Sequence, residues 1–158
     1  MRAVVQRVIK SSVKVEGETV GEIGRGFNVL LGVTKDDTDA DLKYLLEKIL
    51  GLRIFRDDEG KTNLSIMDIQ ARDGGMGLLI ISQFTLCGDV RHGKRPAFTD
   101  AAGEEYAREM YNKFVEEMKK ACDAPGIKVA TGIFRASMEV EIINDGPFTI
   151  LLDSKKAF

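Results

Sequence analysis

The chain has 158 residues, 44% hydrophobic and 30% charged, with a formal net charge of −2 and a pI near 5.5. That length suits one domain with a real core and is short for two; the composition excludes disorder, and the longest apolar run, Gly77 to Ile81, is far too short for a membrane-spanning helix. Mild acidity excludes a general nucleic-acid coat, because phosphate affinity comes from clustered Lys and Arg, and leaves room only for a local basic patch.

The opening MRAVVQRVIK alternates and carries charge, with no apolar leader core or small-residue cleavage site, so it reads as a first strand. Val13 and Val15 alternate with Lys14 and Glu16, and Gly17-Glu18 offers a turn into a strand over Thr19–Ile23. Phe27–Val33 is a short apolar run between glycines, the pattern of a strand buried on both faces. These pieces predict an antiparallel meander. Thr38 with Asp41 three residues on approximates a capping box, and Leu42, Leu45, Leu46, Ile49 and Leu50 keep helical spacing until Gly51. Leu52–Phe55 returns as a strand, followed by a polar loop rich in Asp, Glu and Gly, and Gly77–Leu86 is the next strong strand. A second helix is predicted over Asp100–Cys122, with Tyr106, Met110, Phe114 and Met118 along its core face. Strands over Ile127–Thr131, Met138–Ile143 and Phe148–Asp153 close the chain. The resulting fold class is α+β: a mostly antiparallel, curled or barrel-like sheet with two long helices, in one domain over 1–158.

Two cysteines, Cys87 and Cys122, are too few for a disulfide framework, and the single histidine, His92, leaves no set of four nitrogen and sulfur ligands for zinc. No metal and no cofactor are expected, the glycine-rich phosphate-loop motifs being absent, and the chain reads as cytoplasmic, in a reduced compartment. Basic candidates for an RNA end are Arg2, Arg7, Lys10 and Lys14, and, in a loop, Arg91, His92, Lys94 and Arg95; a solvated surface is the plain alternative. Ser82, Thr85 and Cys87 gather at the end of a buried strand, with His92 downstream, so Ser-His and Cys-His pairs are conceivable but thin. A buried, inert cysteine competes with the latter. So sparse a set fits chemistry done by backbone groups and by the substrate itself.

Asn144-Asp145-Gly146-Pro147-Phe148-Thr149 reads as a turn between two apolar strands, in which glycine lifts the steric restriction on a residue preceding proline. An ordinary hairpin turn is the plain reading of that segment alone. Taken with Ser82-Gln83-Phe84-Thr85-Leu86, however, it resembles the paired SQxxL and NxGPxT signatures of D-aminoacyl-tRNA deacylases. The resemblance runs over nearly the whole chain, including RAVVQRV, Lys48-Ile49-Leu50, Leu52-Arg53-Ile54-Phe55, Gly93 with Arg95-Pro96-Ala97-Phe98-Thr99, and Thr131-Gly132-Ile133-Phe134. Two departures stand out: Ala97 where the family commonly has Ser, and Arg135 where it has Gly.

The resemblance implies a homodimer that cleaves the ester between a D-amino acid, and mischarged glycine as well, and the 3′ end of transfer RNA, with L-esters rejected. It implies a cis Gly146–Pro147 bond whose turn enters the partner's site and whose carbonyls hold the α-amino group, so that an L side chain collides with main chain. Ser82, Gln83, Phe84 and Thr85 are implied as the catalytic segment, with backbone amides of Phe84 and Thr85 facing the oxyanion and Thr85 positioning rather than attacking. Gly146, Pro147, Asn144, Thr149, Arg7 and Phe98 are implied as substrate-binding. Partners are the aminoacylated 3′ end of tRNA and a second copy of the chain, with no membrane and no DNA. A non-catalytic module that binds RNA ends is the rival from another class.

Overall fold

The computed structural model describes residues 1–157. Its elements are β1 (Arg2–Val15), β2 (Glu18–Ile23), β3 (Gly26–Gly32), α1 (Asp39–Gly51), β4 (Phe55–Arg56), β5 (Thr62–Leu64), α2 (Ile66–Asp73), β6 (Gly77–Ser82), α3 (Glu104–Asp123), β7 (Lys128–Thr131) and β8 (Glu139–Asp153), with a 3-10 turn at Phe84–Cys87. β4 and β5 form a small separate hairpin; the other strands share one sheet.

β1 organises that sheet. Arg2–Val15 is a single strand rather than two, and the turn after it falls on Glu16-Gly17, both at positive φ, one residue earlier than the sequence predicts. Two such residues match the right-handed twist of a tight hairpin. β3 pairs with Arg2–Val8 of β1 and β2 with Ser11–Val15, while β8 pairs with β1 over Arg2–Lys14. β2 and β3 therefore share one edge of β1 and β8 takes the other. The predicted meander is corrected accordingly, since β3 returns to β1 and not to β2.

β6 runs parallel to β3, and β7 parallel to β6, so the sheet is mixed where a mostly antiparallel one was expected. The helices make this possible: a parallel return needs a crossover, which α1 and α2 supply between β3 and β6 and α3 supplies between β6 and β7. Parallel strands are covered on both faces, and β6 is buried along Gly77–Ile81. On one face Val5, Phe27, Val29, Leu78 and Ile80 pack with Leu45, Ile49, Phe114 and Met118 of the helices. Each such large side chain contributes about 1.5–3 kcal/mol by leaving water. On the inner face Val8, Val13, Ile23, Leu79 and Ile81 form a second cluster as the sheet curls on itself. The curl brings β2 against β7 so closely that a Cβ on Gly21 would stand 2.4 Å from the Thr131 carbonyl oxygen.

Three local expectations change. The predicted strand over Gly77–Leu86 stops at Ser82, because its partner β3 ends at Gly32 and the last pair is Leu31 with Ser82. The polar loop before it holds α2, capped by Ser65, whose hydroxyl accepts from the Asp68 amide at 3.2 Å while the Asp68 carboxylate accepts from the Ser65 amide at 2.8 Å. Finally, the two last strands are one, β8, which bulges at the Gly-Pro segment.

Candidate active site

Where β6 ends, Gln83 turns the chain into the 3-10 turn, and this short piece forms one wall of a cavity of about 450 Å³. Ser82, Gln83 and Phe84 line it together with Leu31 and Ile81 of the strands, Glu104, Ala107 and Tyr111 of α3, and Phe134, Arg135, Ala136 and Met138 of the segment before β8. Thr85 is exposed next to that wall and its Oγ1 accepts a hydrogen bond from Gln83 Nε2 at 2.5 Å.

The wall is held from behind. Gly32 has no side chain, and a Cβ there would meet the Gln83 carbonyl oxygen at 3.0 Å and Leu86 Cβ at 3.1 Å, so glycine lets the turn pack on β3. Arg2 Nη1 donates to the Leu86 carbonyl at 3.0 Å, and Arg2 Nε donates to Asp153 at 3.1 Å. Cys87 is buried, and burial pushes its thiol pKa up. It is core, as expected of an inert cysteine. The first amides of a helical turn have no partner within it, and Phe84 and Thr85 hold that place here. Phe98 packs its ring edge-on against Phe84 at 5.1 Å between centroids. His92 lies exposed in the loop beyond Cys87 and makes no hydrogen bond to Ser82, Thr85 or Cys87 among the described residues, which removes the geometry for either nucleophilic pair. No group of three or more His, Cys, Asp or Glu residues suited to a metal ion occurs among the described residues.

The second motif sits elsewhere. Gln6 pairs with Thr149 and Val8 with Asn144, so residues 145–148 bulge out of the ladder between β1 and β8. The expected hairpin turn is thus a loop-out within one strand, because both flanks pair with the same neighbour. The Gly146–Pro147 bond is cis, and both residues are exposed. Side chains brace the segment at its base. Asn144 Nδ2 donates to the Arg7 carbonyl at 2.8 Å and the Phe148 carbonyl at 3.1 Å, and Gln6 Nε2 donates to Thr149 Oγ1 at 3.3 Å. Arg7, only 4% exposed, donates to the carbonyls of Asp145 and Ile54, pairs with the Asp145 carboxylate at 2.9 Å, and lies 4.2 Å from the centre of the Phe148 ring. No residue of 144–149 lines the cavity.

The structure therefore sorts the sequence candidates into two groups. Ser82, Gln83 and Phe84 line the cavity, with Thr85 bonded to Gln83 and Phe98 packed on Phe84 beside it; Arg7, Asn144, Gly146, Pro147 and Thr149 gather at the bulge. Arg2 and Arg7 are braces rather than free cations, and Lys10 pairs with Glu141 at 3.0 Å. In the loop, Arg91 is bound to Asp89, whose carboxyl it holds down to a pKa of about 2, while His92, Lys94 and Arg95 are exposed. Sequence reasoning missed Glu104, Ala107 and Tyr111 as cavity residues. Their i, i+3 and i, i+4 spacing beside the Met110–Phe114 stripe was the one signal that could have found them.

At the rim, Arg135 adopts φ +69°, a region that costs a residue with a side chain roughly 1–2 kcal/mol relative to right-handed backbone. Its Nη1 lies 2.7 Å from Glu104, which also accepts from Arg108 at 3.1 Å; the Arg108 hydrogen bond, then that of Arg135, hold the Glu104 carboxyl below its ordinary range.

The model of one protein family, described as D-Tyr-tRNA(Tyr) deacylase, matches residues 4–153. The chain is 57% identical over 158 residues, the whole of both chains, to a D-aminoacyl-tRNA deacylase of Clostridium botulinum (strain Langeland). It is 59% identical, again over the whole of both, to the D-aminoacyl-tRNA deacylase of Natranaerobius thermophilus. Among solved structures it resembles the c-Myc DNA Unwinding Element Binding Protein, with a TM-score of 0.87 and 45% identity over 97% of this chain and 98% of that one. With a family match spanning both motifs and relatives of this identity over full length, the chain belongs to the D-Tyr-tRNA(Tyr) deacylase family.

Proposed function

We propose that this protein, a single domain acting in the cytoplasm, hydrolyses the ester between a D-amino acid and the 3′ end of transfer RNA as a two-fold symmetric dimer. The observation that carries the dimer is the separation of the two motifs: a cavity that no residue of 144–149 lines, and a braced, exposed Gly146–Pro147 bulge elsewhere on the protomer. An isologous contact answers both needs at once, since each bulge then closes the other protomer's cavity.

In this reading the terminal adenosine enters beside Phe84 and Phe98, and the carbonyls of the partner's bulge hold the α-amino group. A D side chain then points to open space, an L side chain meets main chain, and glycine, having none, passes. Water adds to the ester carbonyl carbon, and the developing oxyanion takes hydrogen bonds from the amides of Phe84 and Thr85. The ribose 2′-hydroxyl relays the water's proton toward the ribose oxygen that leaves as the carbon–oxygen bond breaks. Free D-amino acid and tRNA are the products. Thr85, whose side chain is hydrogen-bonded among the described residues to Gln83 and to no acid or base, orients the substrate.

Release of D- and L-tyrosine from matched charged tRNA tests the reading. D-ester should be cleaved with a preference beyond the roughly 1–3 kcal/mol that a missing methylene gives in a pocket, because rejection is a clash. Equal rates on both enantiomers would overturn it. A second reading, a non-catalytic nucleic-acid binder, draws on the DNA-binding name of the 45% identical solved relative. It predicts binding with no ester cleaved.

A further inference from the structure

We infer that Arg135 is a phosphate-binding residue at the cavity mouth, which takes the phosphodiester joining the substrate's terminal nucleotide to the rest of the acceptor strand. The inference rests on the deacylase reading for the orientation of that strand.

Three observations carry it. First, Arg135 lines the cavity and yet is 70% exposed in its side chain, so its guanidinium stands where the pocket opens to solvent. Second, it stands on backbone at φ +69°, closed by the Ala136 amide donating to the Ile133 carbonyl at 3.2 Å. A long cation kept in a conformation that favours glycine, at the rim of a site, is an outlier that points to use there. Third, the Glu104 carboxylate is shared. Arg135 Nη1 contacts it at 2.7 Å, but Arg108 Nη2 holds it too, at 3.1 Å. Two cations on one anion leave the cluster with an excess positive charge. When Arg135 leaves, Glu104 keeps a partner, and Arg108 itself is steadied 4.8 Å from the ring centre of Phe134.

Only Nη1 of Arg135 is engaged, and no hydrogen bond occupies its Nε or Nη2 among the described residues. A planar guanidinium with free donors matches two phosphate oxygens side by side, which an ammonium on a flexible stem does not. A terminal nucleoside inside the cavity brings its 5′-phosphodiester to the mouth, within the sweep of this side chain. Glu104 thus holds Arg135 ready and competes with the phosphate for it.

The test compares the parent with Arg135→Gly and Glu104→Gln, using D-tyrosyl-tRNA, D-tyrosyl-adenosine, which lacks the phosphodiester, and uncharged tRNA. Glycine suits positive φ, so Arg135→Gly should melt no lower than the parent. It should raise KM for D-tyrosyl-tRNA about tenfold, and the loss in kcat/KM should be at least about fivefold larger than on D-tyrosyl-adenosine. The salt dependence of tRNA affinity should fall by about 0.7 in log–log slope, one phosphate's share on a single strand. Glu104→Gln frees the guanidinium and should tighten tRNA binding. Equal losses on both esters, or an unchanged affinity and salt slope for uncharged tRNA in Arg135→Gly, overturn the inference. A parent that cleaves neither ester overturns the deacylase reading instead, and the affinity and salt slope still decide the contact.

Discussion

The cavity wall at Ser82–Thr85 and the bulge at Asn144–Thr149 are held in place by different physics. The wall is the frayed end of a fully buried strand: β6 runs out of partner at Ser82, and packing against Gly32 and the Arg2 bond to Leu86 fix the 3-10 turn beyond it. The bulge is pinned from beneath by polar side chains, with the buried Arg7 and the exposed Asn144 taking most of the bonds at its base. One borders a cavity, the other stands out of a strand ladder. The contrast teaches that each leaves main chain free to meet a ligand, the first amides of the turn at the wall and the Gly146–Pro147 segment at the bulge, while the bracing comes from Arg2 and Gly32 behind one and from Arg7 and Asn144 beneath the other. Selection by backbone is what such a division of labour suits.

The strongest way to break this comparison is to separate the two regions genetically. A variant with the wall disabled (Gln83→Ala with Thr85→Ala) and one with the bulge disabled (Gly146→Ala with Pro147→Ala) should each be nearly inactive. Unfolded together and refolded at equal amounts, they should recover about a quarter of parent activity if the proposed dimer holds, because half the dimers would be mixed and each mixed dimer would hold one intact composite site. No recovery would mean that both motifs serve a site within one chain.

Next in size is the chemistry at the wall. Substrate ending in 2′-deoxyadenosine should not turn over, whereas Thr85→Ala should lose at most on the order of 10²-fold, the scale of lost positioning. A trapped acyl group on Thr85, seen by mass spectrometry, together with normal hydrolysis of the deoxy substrate would make Thr85 the nucleophile.

How much of each region was legible in the sequence depends on the range of the interactions that shape it. α1 was, since Thr38, Asp41 and the leucine spacing are local signals, and so was the doubly buried run of β3. The end of β6 was not: hydrophobic pattern continues to Leu86, but pairing stops where β3, fifty residues earlier in the chain, stops. α2 was missed because eight residues are too few for a period, although Ser65 and Asp68 marked its start. The bulge looked like a hairpin because nothing in residues 138–153 says that both arms pair with β1. Arg7 looked like a surface cation for the same reason, its partners lying at Ile54 and Asp145. Both motifs were visible as strings; their separation in space was not.

Arg7→Ala sharpens the comparison from the side of the bulge. It deletes a cation that donates to two carbonyls and pairs with a half-exposed carboxylate, bonds worth about 1.5–3 kcal/mol each when one partner is charged, part of which water restores at Asp145. A stability loss of about 2–3 kcal/mol in urea denaturation is expected, with the bulge loosened and activity lowered beyond what unfolding explains. Activity that falls only with the folded fraction would show that the bulge needs no brace.

The smallest effect should come from a place that serves neither region, the Asp41 carboxylate at the start of α1. Burial favours its neutral form, but Lys155 at 2.8 Å, Ser154 and the amide and hydroxyl of Thr38 together outweigh burial and hold the carboxyl well below the ordinary range. A carboxyl whose folded pKa is depressed stabilises the fold above its unfolded value, about 3.9, and that contribution is lost as pH falls through the folded value. Asp41→Asn should therefore cost about 1 kcal/mol at neutral pH, the usual size of a lost cap, and should flatten the decline of stability below about pH 4. Because the residue touches neither the cavity nor the bulge, KM for D-tyrosyl-tRNA and the preference for the D-ester should not move at neutral pH. An acid limb as steep as the parent's would show that Asp41 is not among the carboxylates whose protonation unfolds the protein.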